Sequence, residues 1–132
     1  MYSRSSGYQR VSENIGSPRD NEVMAFRLAI HHLVEAKTRS ARAAALNINY
    51  RLWQFIFQDL HNENNILPEI LKQDLLNLAA WSMEYSTRAV LLQISLKPLI
   101  NVNLNVLHGL EANTKKQTSS ATTQREWKNS TV

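Results

Sequence analysis

His31, His32 and Glu35 come nearest, by residue type, to a metal-binding set in this chain. On a helix, His31 and Glu35 stand one turn apart. A zinc-protease helix needs two histidines at i and i+4 with a glutamate directly after the first. A di-iron bundle needs a glutamate followed three residues later by histidine, repeated on another helix. Neither spacing occurs, so the three are expected to border an amphipathic helix rather than to ligate, and no metal or cofactor is expected. Glycine occurs only at 7, 16 and 109, which leaves no phosphate-cradling loop or dinucleotide fingerprint. No serine lies in a nucleophile-elbow context, and cysteine is absent. The residue types thus predict a protein that is not an enzyme.

Two amides draw attention instead. Asparagine is a poor helix-interior residue because its side chain competes with the backbone, yet Asn49 and Asn103 lie among apolar neighbours in segments that read as helical. Each is either a solvent-facing or buried interhelical amide, or an amide that bonds the backbone of an incoming peptide. Trp53 and Trp81 are expected in the core, with a partner groove as the alternative.

The elements that would position these residues are helices. Ser17, Pro18 and Asp20 read as the N-cap, first residue and first-turn acid of a helix. Val23, Phe26, Ile30, Leu33 and Val34 follow at helical spacing, with an end near Lys37–Arg39. A second helix is expected from about Ala41 to His61, its stripe formed by Leu46, Tyr50, Trp53, Phe57 and Leu60. Asn62 to Asn65 read as a turn. A third helix should start at Pro68 and run to Leu96, largely buried because apolar residues occur on nearly every side. After Pro98 the pattern is ambiguous. Ile100, Val102, Leu104 and Val106 alternate with Asn101, Asn103 and Asn105, a period of two that suits a strand. A lone strand leaves backbone groups unpaired, so a fourth helix is preferred, with Leu99, Val102, Val106, Leu107 and Leu110 inside and Gly109 closing it.

The expected fold class is all-α: a small bundle of four main helices. Residues 1–16 form an expected flexible arm, 17–111 the helical domain and 112–132 a disordered polar tail. The formal charge of +4 is uneven. The arm contributes +1 and the tail +3, while residues 17–111 hold nine basic and nine acidic groups. Nucleic-acid domains carry their charge on the fold, so direct RNA binding is the weaker expectation. No apolar run approaches the roughly 20 residues that span a bilayer, and a cytoplasmic location is expected.

One stretch goes further. Within NYRLWQFIFQDLHNENNILP (49–68), Asn49, Leu52 and Trp53 form an "N..LW" element, Asp59 and Leu60 a "DL" pair, and Asn65, Leu67 and Pro68 an "N.LP" element. Leu71, Leu75, Leu78 and Trp81 follow. Ile100, Val102 and Asn103, then Gly109 and Leu110, form a closing element. In combination these resemble the flagellar biosynthesis regulator FlaF family of bacteria. The resemblance implies a regulator of flagellin synthesis and flagellum assembly, acting as a flagellin-binding, secretion-chaperone-like protein. Flagellin is the implied partner, with a FlbT-type regulator as a further one. The alternative is post-transcriptional: binding of flagellin leader RNA, or action through the FlbT-type regulator. Partner contacts are expected at Tyr8, Gln9, Asn49, Trp53 and Asn103, with Asn49 and Asn103 on exposed faces of the second and fourth helices. On that reading, alanine at both positions leaves stability near wild type and weakens binding.

Overall fold

A computed structural model describes residues 18–112 of the chain. They form four helices: α1 (Pro18–Glu35), α2 (Arg39–Leu60), α3 (Glu69–Leu91) and α4 (97–112). No strand occurs among the described residues. The arm and the tail expected from the sequence, with Ser17 as the expected cap, lie outside them.

The chain runs up and down, and α2 packs against α1 and α3. Two apolar layers fill the interior. Leu33, Ala45, Leu46, Ala89, Leu96 and Leu99 form one, at the end where α1 stops and α2 begins. Val23, Phe26, Trp53, Ala79 and Leu107 form the other, toward the end where α1 starts and α2 stops. Phe26 meets Trp53 edge-on, with ring centroids 5.5 Å apart.

The alternation after Pro98 resolves as helix. Leu99, Asn103 and Leu107 recur every four residues and are buried, while Asn101 and Asn105, also four apart, face out. The apparent period of two comes from asparagines on opposite faces of one helix. Pro98 occupies the first turn, where its missing N–H is no loss.

Several boundaries differ from expectation. Helix α1 ends at Glu35 and α2 starts earlier, because Thr38 caps it: its Oγ1 accepts from the Ala41 N–H at 3.0 Å. Glu35 and Arg39 therefore flank a break between the two helices. Helix α3 stops at Leu91, not Leu96. The loop after it is fastened from outside: Tyr85 Oη donates to the Ser95 carbonyl at 2.6 Å. Arg42, in the first turn of α2, reaches with Nη2 to the carbonyls of Ala89 and Leu92, each at 3.3 Å, and of Ile94. A guanidinium at a helix C-terminus satisfies orphan carbonyls and opposes the negative end of the helix dipole. Arg42→Met keeps the aliphatic stem and removes this clamp. It is expected to cost about 2 kcal/mol, the range for bonds to a charged donor, and to speed amide exchange in 92–96. Urea unfolding and hydrogen exchange read both, and Arg42→Lys should recover only part of the loss.

Gly109 does not close α4, which continues through 112, so His108 sits inside the helix rather than at its end. A Cβ at Gly109 meets no atom within 4 Å. Gly109→Ala therefore removes backbone freedom from the unfolded chain without strain. It should raise stability by about 0.5–1 kcal/mol, read as a higher thermal midpoint.

Helix α3 is also less buried than expected. Its inward residues are small ones, Ala79, Ser82, Ser86 and Ala89, spaced by three, four and three, while Ile70, Val90 and Leu91 face outward. Small side chains on that seam let α3 lie close against α2.

Candidate functional site

Between the two apolar layers lies a layer of polar side chains. Asn49 of α2 and Asn103 of α4 are both 0% exposed. Asn103 Nδ2 donates to Asn49 Oδ1 at 2.6 Å. Asn49 Nδ2 donates to Ser86 Oγ on α3 at 3.0 Å, and Ser86 Oγ donates to the Ser82 carbonyl at 2.7 Å. Trp53 Nε1, also fully buried, donates to Asn103 Oδ1 at 2.9 Å. The chain of bonds thus ties α2, α3 and α4 at one height in the bundle.

The local sequence explains why the groups meet. On α2, Leu46, Asn49, Trp53 and Leu60 make the buried stripe, so Asn49 takes a seam position and Tyr50 is half-buried beside it. On α4, Asn103 is central in the stripe from Leu99 to Leu107. A buried amide without a partner costs about 1–3 kcal/mol, so each asparagine is tolerable only because the other answers it. A fixed polar pair in an apolar seam also disfavours sliding of one helix past another, since any shift breaks the bonds. One atom of this layer is left over: Ser82 Oγ is buried with no hydrogen-bond partner. Ser82→Ala should be neutral or stabilising by up to about 1 kcal/mol in urea unfolding, because it deletes an unanswered hydroxyl.

The expectation that Asn49 and Asn103 stand on exposed faces is therefore corrected. Their polar atoms, and that of Trp53, are turned to one another, and burial removes all three from the surface a partner would meet in this conformation. Tyr8 and Gln9 lie outside the described residues.

The other motif residues build the α2–α3 connection. Asn65 Nδ2 donates to Asp59 Oδ2 at 3.3 Å, and Asn65 Oδ1 accepts from the Leu67 N–H at 3.1 Å. Asn62 Oδ1 accepts from the Asn64 N–H at 2.9 Å. Pro68 stands just before α3, its carbonyl accepting from the Lys72 N–H at 2.9 Å. His61 ends α2, where its Nδ1 donates to the Phe57 carbonyl at 2.9 Å. The "DL" and "N.LP" elements thus meet each other across a turn, just as "N..LW" meets the closing element across the core.

No group of three or more histidine, aspartate or glutamate side chains suited to a metal ion occurs among the described residues. His31 and His32 contact each other edge-on, with centroids 5.8 Å apart. None of the described helices is long and apolar enough to cross a membrane. Exposed large apolar side chains are instead the conspicuous surface feature: Met24 and Leu28 on α1, Ile66 and Ile70 at the start of α3, and Val90, Leu91 and Leu92 at its end.

These features define a small all-α bundle locked by a buried Asn–Asn layer. The chain belongs to the FlaF family: the family model described as flagellar protein FlaF matches residues 4–110. It is thus a flagellar-related protein. No curated protein and no solved structure matches it.

Proposed function

We propose that this protein is a non-enzymatic, cytoplasmic, flagellin-binding factor that regulates flagellin synthesis and flagellum assembly in the manner of a secretion chaperone. Membership of the flagellar family supports the setting. The observation that carries the binding is the set of large apolar side chains left in solvent on a folded bundle, Met24 and Leu28 one turn apart among them. Contiguous apolar surface left exposed on a folded domain marks sites of interaction. An amphipathic segment can lay its apolar stripe against such side chains, with affinity reduced by the cost of ordering the segment. In this reading Asn49, Trp53 and Asn103 serve binding indirectly, by fixing the helices that carry the surface. Tyr8 and Gln9 remain candidates for direct contact, and a FlbT-type regulator is a second candidate partner.

Calorimetric titration of the full chain with its cognate flagellin, at low and high salt, tests this. Saturable binding that varies little with salt supports it. If no heat evolves at either salt, the flagellin reading fails. Binding of flagellin leader RNA, whose compositional support is the +3 of residues 112–132, would show instead as an affinity falling linearly on a log–log salt plot.

A further inference from the structure

The start of α3 presents the most exposed apolar side chains of the described residues. Ile66 is 95% exposed and Ile70 80%, with Leu71 beside them at 43%. Ile66 is not on a slack loop. The Asp59–Asn65 and Asn65–Leu67 bonds hold the turn on both sides of it, so the fold keeps this apolar face in the open. Its rim is acidic. Asp59, Glu63, Glu69 and Asp74 flank it in the sequence and are exposed, and Lys72 is the sole lysine or arginine in 59–74, which leaves that stretch at −3 with His61 neutral.

The chain carries the complement. Residues 112–132 hold Lys115, Lys116, Arg125 and Lys128 against Glu126, a net +3, and their aromatic residue, Trp127, stands between Glu126 and Lys128. The topology delivers this segment to the right end of the bundle. Leu107 and Leu110 of α4 pack with Val23 and Phe26 near the start of α1, and Arg27 of α1 pairs with Glu111. That is the end at which α2 stops and α3 begins. From Ala112 the fifteen residues to Trp127 reach up to about 50 Å when extended, more than the width of two helices of about 10 Å each.

We propose that residues 113–132 dock in cis on the Ile66–Ile70–Leu71 face, with Trp127 on the isoleucines and the lysines and arginine against the acidic rim. Tryptophan and arginine are the residues that most often anchor such contacts, and opposite charge favours this encounter over others. The consequence is a self-mask: the face is covered until something displaces the segment. The flagellin reading then rests on exposed side chains elsewhere, Met24 and Leu28 of α1 among them.

Methyl NMR of the full chain tests it, because a docked indole shifts the methyl groups beneath it. A circular dichroism spectrum unchanged from the wild type checks that Trp127→Ala leaves the fold in place. The expected result is a change confined to the Ile66 and Ile70 methyl resonances, with Ile30 and Ile100 unmoved and the same at every protein concentration. Replacing Lys115, Lys116, Arg125 and Lys128 by glutamine should move the same two resonances in the same direction. Ile66 and Ile70 unchanged in Trp127→Ala would overturn the proposal. So would a change that disappears on dilution, which would assign the contact to a second copy.

Discussion

Asn103→Ala should lower the unfolding free energy by about 3 kcal/mol. The substitution strands two buried groups, the Trp53 N–H and the Asn49 carbonyl oxygen, each worth about 1–3 kcal/mol when left unanswered, and leaves a small void. A domain of this size has a total of about 5–15 kcal/mol, so the loss is a large share of it. Asn49→Ala should cost a similar amount, since it strands the Asn103 amide and removes the donor to Ser86. The double variant should lose less than the two single losses combined. Each single change orphans the other amide, whereas the double removes both sides of the bond. Urea unfolding of the four proteins gives the coupling directly, and strict additivity would argue against the observed pairing.

Trp53→Ala should be the most damaging single change, at about 3–5 kcal/mol, the cost of truncating a fully buried aromatic. Trp53 is 0% exposed and meets Phe26 edge-on in the layer that also holds Val23, Ala79 and Leu107. The loss approaches the whole stability of a small domain, so the variant is expected to be largely unfolded at 37 °C by circular dichroism. Trp53→Phe separates the two contributions. It keeps most of the apolar contact but removes the N–H that answers Asn103 Oδ1. A loss of about 1–3 kcal/mol is expected there, since a buried acceptor loses its donor. If Phe were neutral, the indole hydrogen bond would contribute nothing and the polar layer would rest on the asparagine pair alone.

The helices themselves could be read from local periodicity, because a buried stripe is written every three or four residues. The pattern from Val23 to Leu33 and the stripe around Trp53 show it. The points that escaped were settled by partners distant in the chain. The end of α3 depends on Arg42, about fifty residues earlier, and on Tyr85 holding Ser95; no window around Leu92 contains the first of these. The role of Asn49 depends on Asn103, 54 residues on. An asparagine in an apolar stripe is costly alone and acceptable in a pair, so its orientation could not be read from either segment by itself. A usable signal did exist in α3. Ala79, Ser82, Ser86 and Ala89 recur at helical spacing, and a stripe of small residues between larger ones marks a close helix contact. Apolar residues on the other faces obscured it. For the candidate site, the motif residues were identifiable from the sequence, but their first use proves to be contact with one another.

Asn49 and Asn103 either hold the bundle together or meet a partner. The most direct measurement pairs urea unfolding with flagellin titration on the Asn49→Ala/Asn103→Ala double variant, below its unfolding transition. The structure predicts a clear loss of stability; on the proposed flagellin reading, the molecules that remain folded bind flagellin as the wild type does. Stability near wild type with binding abolished would contradict it, and would return both amides to an exposed surface that meets a partner.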